Sequence, residues 1–252
     1  MLKPPICRVG GKSKLRNTIL EMIPDHKCYI ELFFGAGWVY FGKELSKTEV
    51  INDIDKELIN LYKMIKYHAP EIERQLEFEF SGRDIFEEYK HLNLEYLTEI
   101  NRAVRFLYTI TQSFGGKGGV YGYSTVGKPS QHIFYKNVLE ELSERLKNTY
   151  VENLDFTKII DKYDREYSFF FCDPPYFETC GYGNKFEEEE HIILKDKLKN
   201  IKGKFLLTIN DHEKIREWYK GFNIKEVEVN YSVSREAEAR KKYKELIITN
   251  YD

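Results

Sequence analysis

The chain has 252 residues, a mass of 30.1 kDa and a formal net charge of -2, with 32% charged and 15% aromatic residues. A mean hydropathy of -0.55, with no apolar run near the roughly 20 residues that span a bilayer, excludes the disordered and membrane-spanning classes. The near-neutral balance excludes a global basic field, so any nucleic-acid surface must be a local patch.

The start, MLKPPICRVGGKSKL, carries charge with no apolar segment behind it, which predicts no signal peptide and a cytoplasmic location. Arg8, Lys12, Lys14 and Arg16 form a first basic patch. Within it, VGGKSK imitates a phosphate-binding loop. That loop needs a glycine five residues before Gly11, and Ile6 stands there, so an ATPase is excluded. The run CYIELFF (28–34) predicts a strand, and FGAGWVY behind it a turn into a helix. Gly35 and Gly37 let backbone approach a ligand closely, but Tyr40 occupies the third glycine position of the dinucleotide fingerprint. A nicotinamide dehydrogenase is therefore disfavoured. The next strand, EVIND (49–53), ends on Asp53, 16 residues beyond Gly37, where an acid can accept hydrogen bonds from ribose hydroxyls.

A helical pattern follows over 55–67, and from 69 to 150 the rhythm changes to mostly helical. That change predicts an inserted second domain. It includes a helix within 97–114, a Gly-rich segment GGKGGVYGYSTVGKPSQ (115–131) whose aromatics favour a structured binding loop over a linker, and a helix over 135–147. Further strands are predicted at YSFFFC (167–172) and KFLLTIN (204–210), with a helix at 187–200 between them. IKEVEVNY (224–231) and ELIITNY (245–251) leave little room for a helix, which predicts an antiparallel hairpin closing one edge. A second basic patch, Arg235, Arg240, Lys241, Lys242 and Lys244, lies there. A solvated face explains such charge runs as well as a nucleic-acid surface does. The alternation of strands and helices predicts an α/β sheet wrapped by helices, with ligands at the carboxyl ends of its strands. Cys7, Cys28, Cys172 and Cys180 form no C-x-x-C pair, which predicts reduced thiols, no zinc site and no metal.

Taken in order, R-x-G-G-K (8–12), F-x-G-A-G (33–37), N-D-I-D (52–55), NLDF (153–156) and D-P-P-Y (173–176) resemble the motifs of the Dam-type, D12 class DNA adenine-N6 methyltransferases. LLTINDHEKIREWY (206–219) and ELIITNY are similar as well, so the resemblance covers nearly the whole chain. It implies a Rossmann-like methyltransferase sheet built from 1–68 and 151–252, with 69–150 inserted as a mostly helical target-recognition domain. It implies S-adenosylmethionine as methyl donor and duplex DNA as substrate. On this resemblance Asp173 and the carbonyl of Pro174 accept hydrogen bonds from the adenine amine, and Pro174 and Pro175 stiffen those acceptors. Tyr176, helped by Phe177, stacks on a base flipped out of the duplex.

Gly35, Ala36 and Gly37 would form the donor-binding face, with Asp53 on the ribose and Asp155 and Phe156 on the adenine. Gly10, Gly11 and Lys12 would help place the methionine end, and Glu31, Phe33 and Ile54 complete the set. Arg8 stands where the family often has an aromatic, and its expected partner is either the donor or a DNA phosphate. Lys117, Lys128 and Arg235 are the expected DNA contacts, and a cognate restriction endonuclease is a candidate partner. Gly115 replaces the Asn of the aromatic-Asn-Gly sequence associated with GATC-specific members, which points away from GATC. The competing readings are a cytosine-N4 methyltransferase, in which Ser-Pro-Pro is commoner, and a non-catalytic DNA-binding relative.

Overall fold

The computed structural model describes residues 2–8, 10–127, 137–178, 186–230 and 242–252. In chain order the elements are α1 Arg16–Met22, β1 Cys28–Glu31, β2 Thr48–Asn52, α2 Lys56–Leu76, α3 Arg83–His91, α4 Glu99–Gln112, α5 Val138–Leu146, β3 Thr149–Glu152, α6 Phe156–Tyr163, β4 Ser168–Cys172, α7 Glu188–Lys199, β5 Lys204–Asn210, α8 Glu213–Trp218, β6 Asn223–Asn230 and β7 Lys242–Thr249. Among the described residues, no helix is long and apolar enough to cross a membrane.

The sheet has seven strands in the order β3-β2-β1-β4-β5-β7-β6. β1 pairs in parallel with β2 and β4, and β4 with β5, while β7 runs antiparallel to both β5 and β6. Every residue of β1 and β4 is buried, the pattern of parallel strands covered on both faces and the reason they read as unbroken apolar runs. The chain steps from β1 to β2 on one side and finds β4 on the other. Strand order therefore reverses at β1, and the residues following it lie at the switch point where open α/β sheets take ligands. This is the α/β, Rossmann-like sheet expected from the strand and helix alternation, including its closing antiparallel pair.

The chain divides into two compact units: Met1–Ser13, Gly35–Lys43 and Asp53–Asn153 form the first, and Lys14–Phe34, Glu44–Asn52 and Leu154–Asp252 the second. In the second, Ile30, Phe170, Leu207, Leu246 and Ile248 of the strands pack with Ile159 and Ile160 of α6, Leu194 and Leu198 of α7, and Ile215 of α8. In the first, α4 and α5 pack along α2. Asp55 caps α2 by accepting from the Glu57 and Leu58 amides. The helix runs well past the predicted end at 67, bending at His68 (φ -139°). Pro70 thereby falls in the first turn beyond the bend, where its missing N–H forfeits no helical bond. The continuation is used: the Glu73 carboxylate accepts from the Asn137 and Leu139 amides and caps α5.

Candidate active site

In the first unit the glycine motif and the acid that follows β2 are joined. Gly35 adopts φ +50° and Gly37 φ +74°, conformations that favour glycine. Nothing lies within 4 Å of where a Gly35 Cβ would stand, so backbone angle rather than space demands the glycine. Asp53 Oδ2 accepts from the Gly35 amide at 2.9 Å and Oδ1 from the Asp55 amide at 2.9 Å. Burial pushes the Asp53 carboxyl above its ordinary value, against the pull of those two amides and of the Arg8 guanidinium. From α2, the Tyr62 hydroxyl donates to the Ala36 carbonyl at 3.0 Å, and Asn153 donates to the Asp53 carbonyl at 2.7 Å. Ile54 is exposed.

The N-terminal motif sits beside this acid. Arg8 donates to Asp55 at 2.8 Å and its guanidinium lies 5.9 Å from the centre of the Phe106 ring. It thus ties the N-terminal segment to the cap of α2. Lys12 is buried and donates to the Gly10 carbonyl at 2.9 Å, closing a turn in which Gly10 has φ +82°. A Cβ on Gly11 would stand 3.1 Å from the Trp38 indole.

The Gly-rich segment of the same unit is folded. Ser113 bridges Tyr121 antiparallel, Phe114 donates to the Val120 carbonyl and Gly122 to the Gln112 carbonyl, both at 2.8 Å. Gly115, Gly116 and Gly118 turn it with φ of 66°, 69° and 70°. A Cβ on Gly116 would stand 2.1 Å from the Cys7 carbonyl oxygen, so only glycine lets the hairpin press on the N-terminal segment. Lys117 is exposed at its tip. Lys128 and Arg235 lie outside the described residues.

In the second unit Asn52, 1% exposed, stitches the strand ends together. Its amide donates to the Leu32 and Leu154 carbonyls at 3.0 Å each and accepts from the Leu154 amide at 2.9 Å. Phe33, Phe156 and Phe186 close a triangle of rings with centroids 5.4 to 5.6 Å apart. Asp155 is exposed and caps α6, accepting from both the amide and the hydroxyl of Thr157. Glu31 is buried and accepts from the Tyr29 hydroxyl at 2.7 Å.

Asp173, Pro174, Pro175 and Tyr176 continue directly from β4 without regular secondary structure, and β5 holds them from the side. Thr208 donates to Asp173 Oδ1 at 2.9 Å. The Asn210 amide accepts from the Phe177 amide at 2.9 Å and donates to the Phe177 carbonyl at 3.0 Å. The Phe177 ring, 3% exposed, meets His191, His212 and Trp218 edge-on at 5.4, 4.9 and 5.3 Å. His191 also meets Phe186 at 4.6 Å, and burial pushes its imidazole down to about 4. Asp173 and Tyr176 stay partly exposed.

Residues 9–233 match the model of the D12 class N6 adenine-specific DNA methyltransferases. The chain belongs to this family. The methyltransferase is 29% identical to the type II methyltransferase M1.LlaDCHI of Lactococcus lactis subsp. cremoris, over 99% of this chain and 96% of that one. It is 29% identical to a DNA adenine methylase of Haemophilus influenzae, covering 97% and 92%. The type II methyltransferase M.MjaIII of Methanocaldococcus jannaschii is 27% identical, covering 99% of both chains.

The methyltransferase corrects one expectation at this site. Phe177 was expected to help stack on the base, but its ring is enclosed in the core, where it anchors the loop instead of facing outward. Three residues that sequence reasoning did not place, Asn52, Thr208 and Asn210, hold the methyltransferase's motifs in position. Each stands inside a quoted motif or strand, yet its partners lie 20 to 102 residues away in the chain.

Proposed function

We propose that this adenine-specific DNA methyltransferase acts in the cytoplasm on duplex DNA, transferring methyl from S-adenosylmethionine to the N6 amine of an adenine turned out of the helix. The observation that carries the reading is the carboxylate of Asp173, held at the carboxyl end of β4 by a side chain of the neighbouring strand. The adenine amine is a poor nucleophile because its lone pair is delocalised into the ring. Acceptors on its two hydrogens favour a pyramidal nitrogen whose lone pair points at the methyl group. Asp173 and the Pro174 carbonyl are those acceptors, on a backbone whose φ two prolines fix near -65°. Turning the base out costs about a few kcal/mol, and a stack on Tyr176 returns about 1–3 kcal/mol. The new N–C bond would be balanced by loss of the methyl–sulfur bond, with S-adenosylhomocysteine as the product. The surplus amine proton then passes to Asp173 or to water.

Bound S-adenosylmethionine supplies an electrophilic methyl on a sulfonium, and the residues present suit its parts. Gly35, Ala36 and Gly37 offer close backbone approach, and the fixed Asp53 carboxylate keeps lone pairs for ribose hydroxyls beyond the two amides it accepts. Phe33, partly exposed and backed by the buried Phe156 ring, offers a ring face for adenine, whose amine Asp155 accepts from, and Ile54 adds apolar surface. The Gly10, Gly11 and Lys12 turn serves the methionine end. Glu31 and Arg8 support these groups through Tyr29 and Asp55. We infer that the first unit's hairpin, with Lys117, meets DNA together with Lys128 and Arg235, so that 69–150 acts in target recognition. A cognate restriction endonuclease is the partner that the names of two relatives suggest.

The test is incubation of unmethylated plasmid DNA with protein and S-adenosylmethionine, followed by nucleoside analysis and single-molecule sequencing. N6-methyladenine in one short motif other than GATC is the expected product. Asp173→Ala should lose turnover by about 10²–10³-fold, the size of effect seen when a preorganised polar contact is removed, while calorimetry finds donor affinity unchanged. Near-normal turnover in that variant removes Asp173 from the site.

A further inference from the structure

We propose that Thr208 is a positioning residue for methyl transfer, an inference that rests on Asp173 being the acceptor for the target amine. Thr208 lies on β5 and is fully buried. Two acceptors face its hydroxyl, the carbonyl of Cys172 at the end of β4 at 3.4 Å and Oδ1 of Asp173 just beyond it at 2.9 Å. A hydroxyl has one proton to give. The shorter contact with the charged acceptor takes it, because charge-assisted bonds are the stronger ones.

The consequence is orientational. Asp173 follows the end of β4, and its carboxylate reaches different positions in the different χ1 and χ2 rotamer wells. A donor on Oδ1 selects one well and sets the carboxylate plane that meets the amine. A misplacement of about 1 Å at a reacting centre can cost about 100-fold in rate. Side chains two apart on a strand share a face, so Asn210 extends the same hold from β5 and binds the Phe177 backbone at both its amide and its carbonyl. The two side chains thus grip the loop at its first residue and just past Tyr176. Of the two, only Thr208 touches the group that meets substrate.

The experiment compares Thr208→Val, which keeps the shape and removes the hydroxyl, with Thr208→Ser, which keeps the hydroxyl. Each is assayed as full-length protein on unmethylated plasmid DNA with S-adenosylmethionine, alongside donor affinity by calorimetry and Tm. Loss of a hydrogen bond to a charged group predicts a kcat lower by about 10- to 100-fold for the valine variant. Its KM for DNA and its donor Kd should hold, and the serine variant should recover most of the rate. Thr208→Ala makes the same cut if the valine variant does not fold. Wild-type kcat in the valine variant overturns the proposal. So does a joint fall of kcat, donor affinity and Tm that serine fails to rescue. Asp173→Asn is run in parallel: near-normal turnover there defeats the reading of Asp173 itself, whereas a dead Asp173→Asn beside a normal Thr208→Val defeats only the role of Thr208.

Discussion

The hairpin after α4 and the loop after β4 are both short, proline- or glycine-marked segments, and they are stiffened in opposite ways. The hairpin is a backbone object. Its pairing bonds run main chain to main chain, with the Ser113 hydroxyl accepting from the Gly118 amide inside the turn, its turn is made by left-handed glycines, and Lys117, Val120 and Tyr123 are left exposed. The D-P-P-Y loop is held from outside itself, by Thr208 and Asn210 of β5 and by the rings around Phe177. On the proposed function, a surface that follows DNA needs a fixed course with side chains free to vary. A carboxylate that must meet one amine needs its own torsions fixed.

Asn210→Ala tests the second half of that contrast most severely. It removes both bonds to Phe177, each worth about 0.5–1.5 kcal/mol, and should lower kcat by about tenfold or more. Donor affinity by calorimetry should be unchanged. A variant altered only in its KM for DNA would mean that the loop does not depend on β5. Gly116→Ala tests the first half. A methyl group there overlaps the Cys7 carbonyl and carries a left-handed penalty of roughly 1–2 kcal/mol. The expected result is a KM for DNA raised about tenfold, with kcat on saturating DNA preserved. A collapse of kcat instead would show that the two segments are not separable in role.

The smallest effect at neutral pH is expected from His191→Leu, which probes the packing behind the loop. Burial lowers the folded imidazole from 6.5 to about 4, so as pH falls below 6.5 the unfolded chain takes a proton that the folded one refuses. The stability contributed by neutral His191 is full above pH 6.5 and is lost progressively down to about pH 4, by at most about 3 kcal/mol. Denaturant unfolding at pH 7 and pH 4.5 should show a smaller acid loss in the variant than in the parent. Equal losses would take His191 out of the acid response.

The sequence announced β1, β2, β4, β5, β6 and β7 because each is an apolar or alternating run. β3 is fainter, showing only as a strand candidate before Asp155 and Phe156, because its TYVE is four residues long with Tyr150 exposed. The end of α2 was also hidden: a proline after a helical pattern usually reads as a stop, and only the bend at His68 lets the helix go on. At the site, chemistry-bearing residue types were legible in place, since glycines, acids and D-P-P-Y declare themselves at strand ends and their order identifies the family. What the one-dimensional pattern cannot carry is the partner of each. Asn52, Thr208 and Asn210 read as ordinary strand residues until parallel pairing sets β5 beside β4 and the Asn52 side chain meets the Leu154 backbone. Side-chain periodicity assigns a residue to a face, while register and packing decide which backbone group or carboxylate that face will meet.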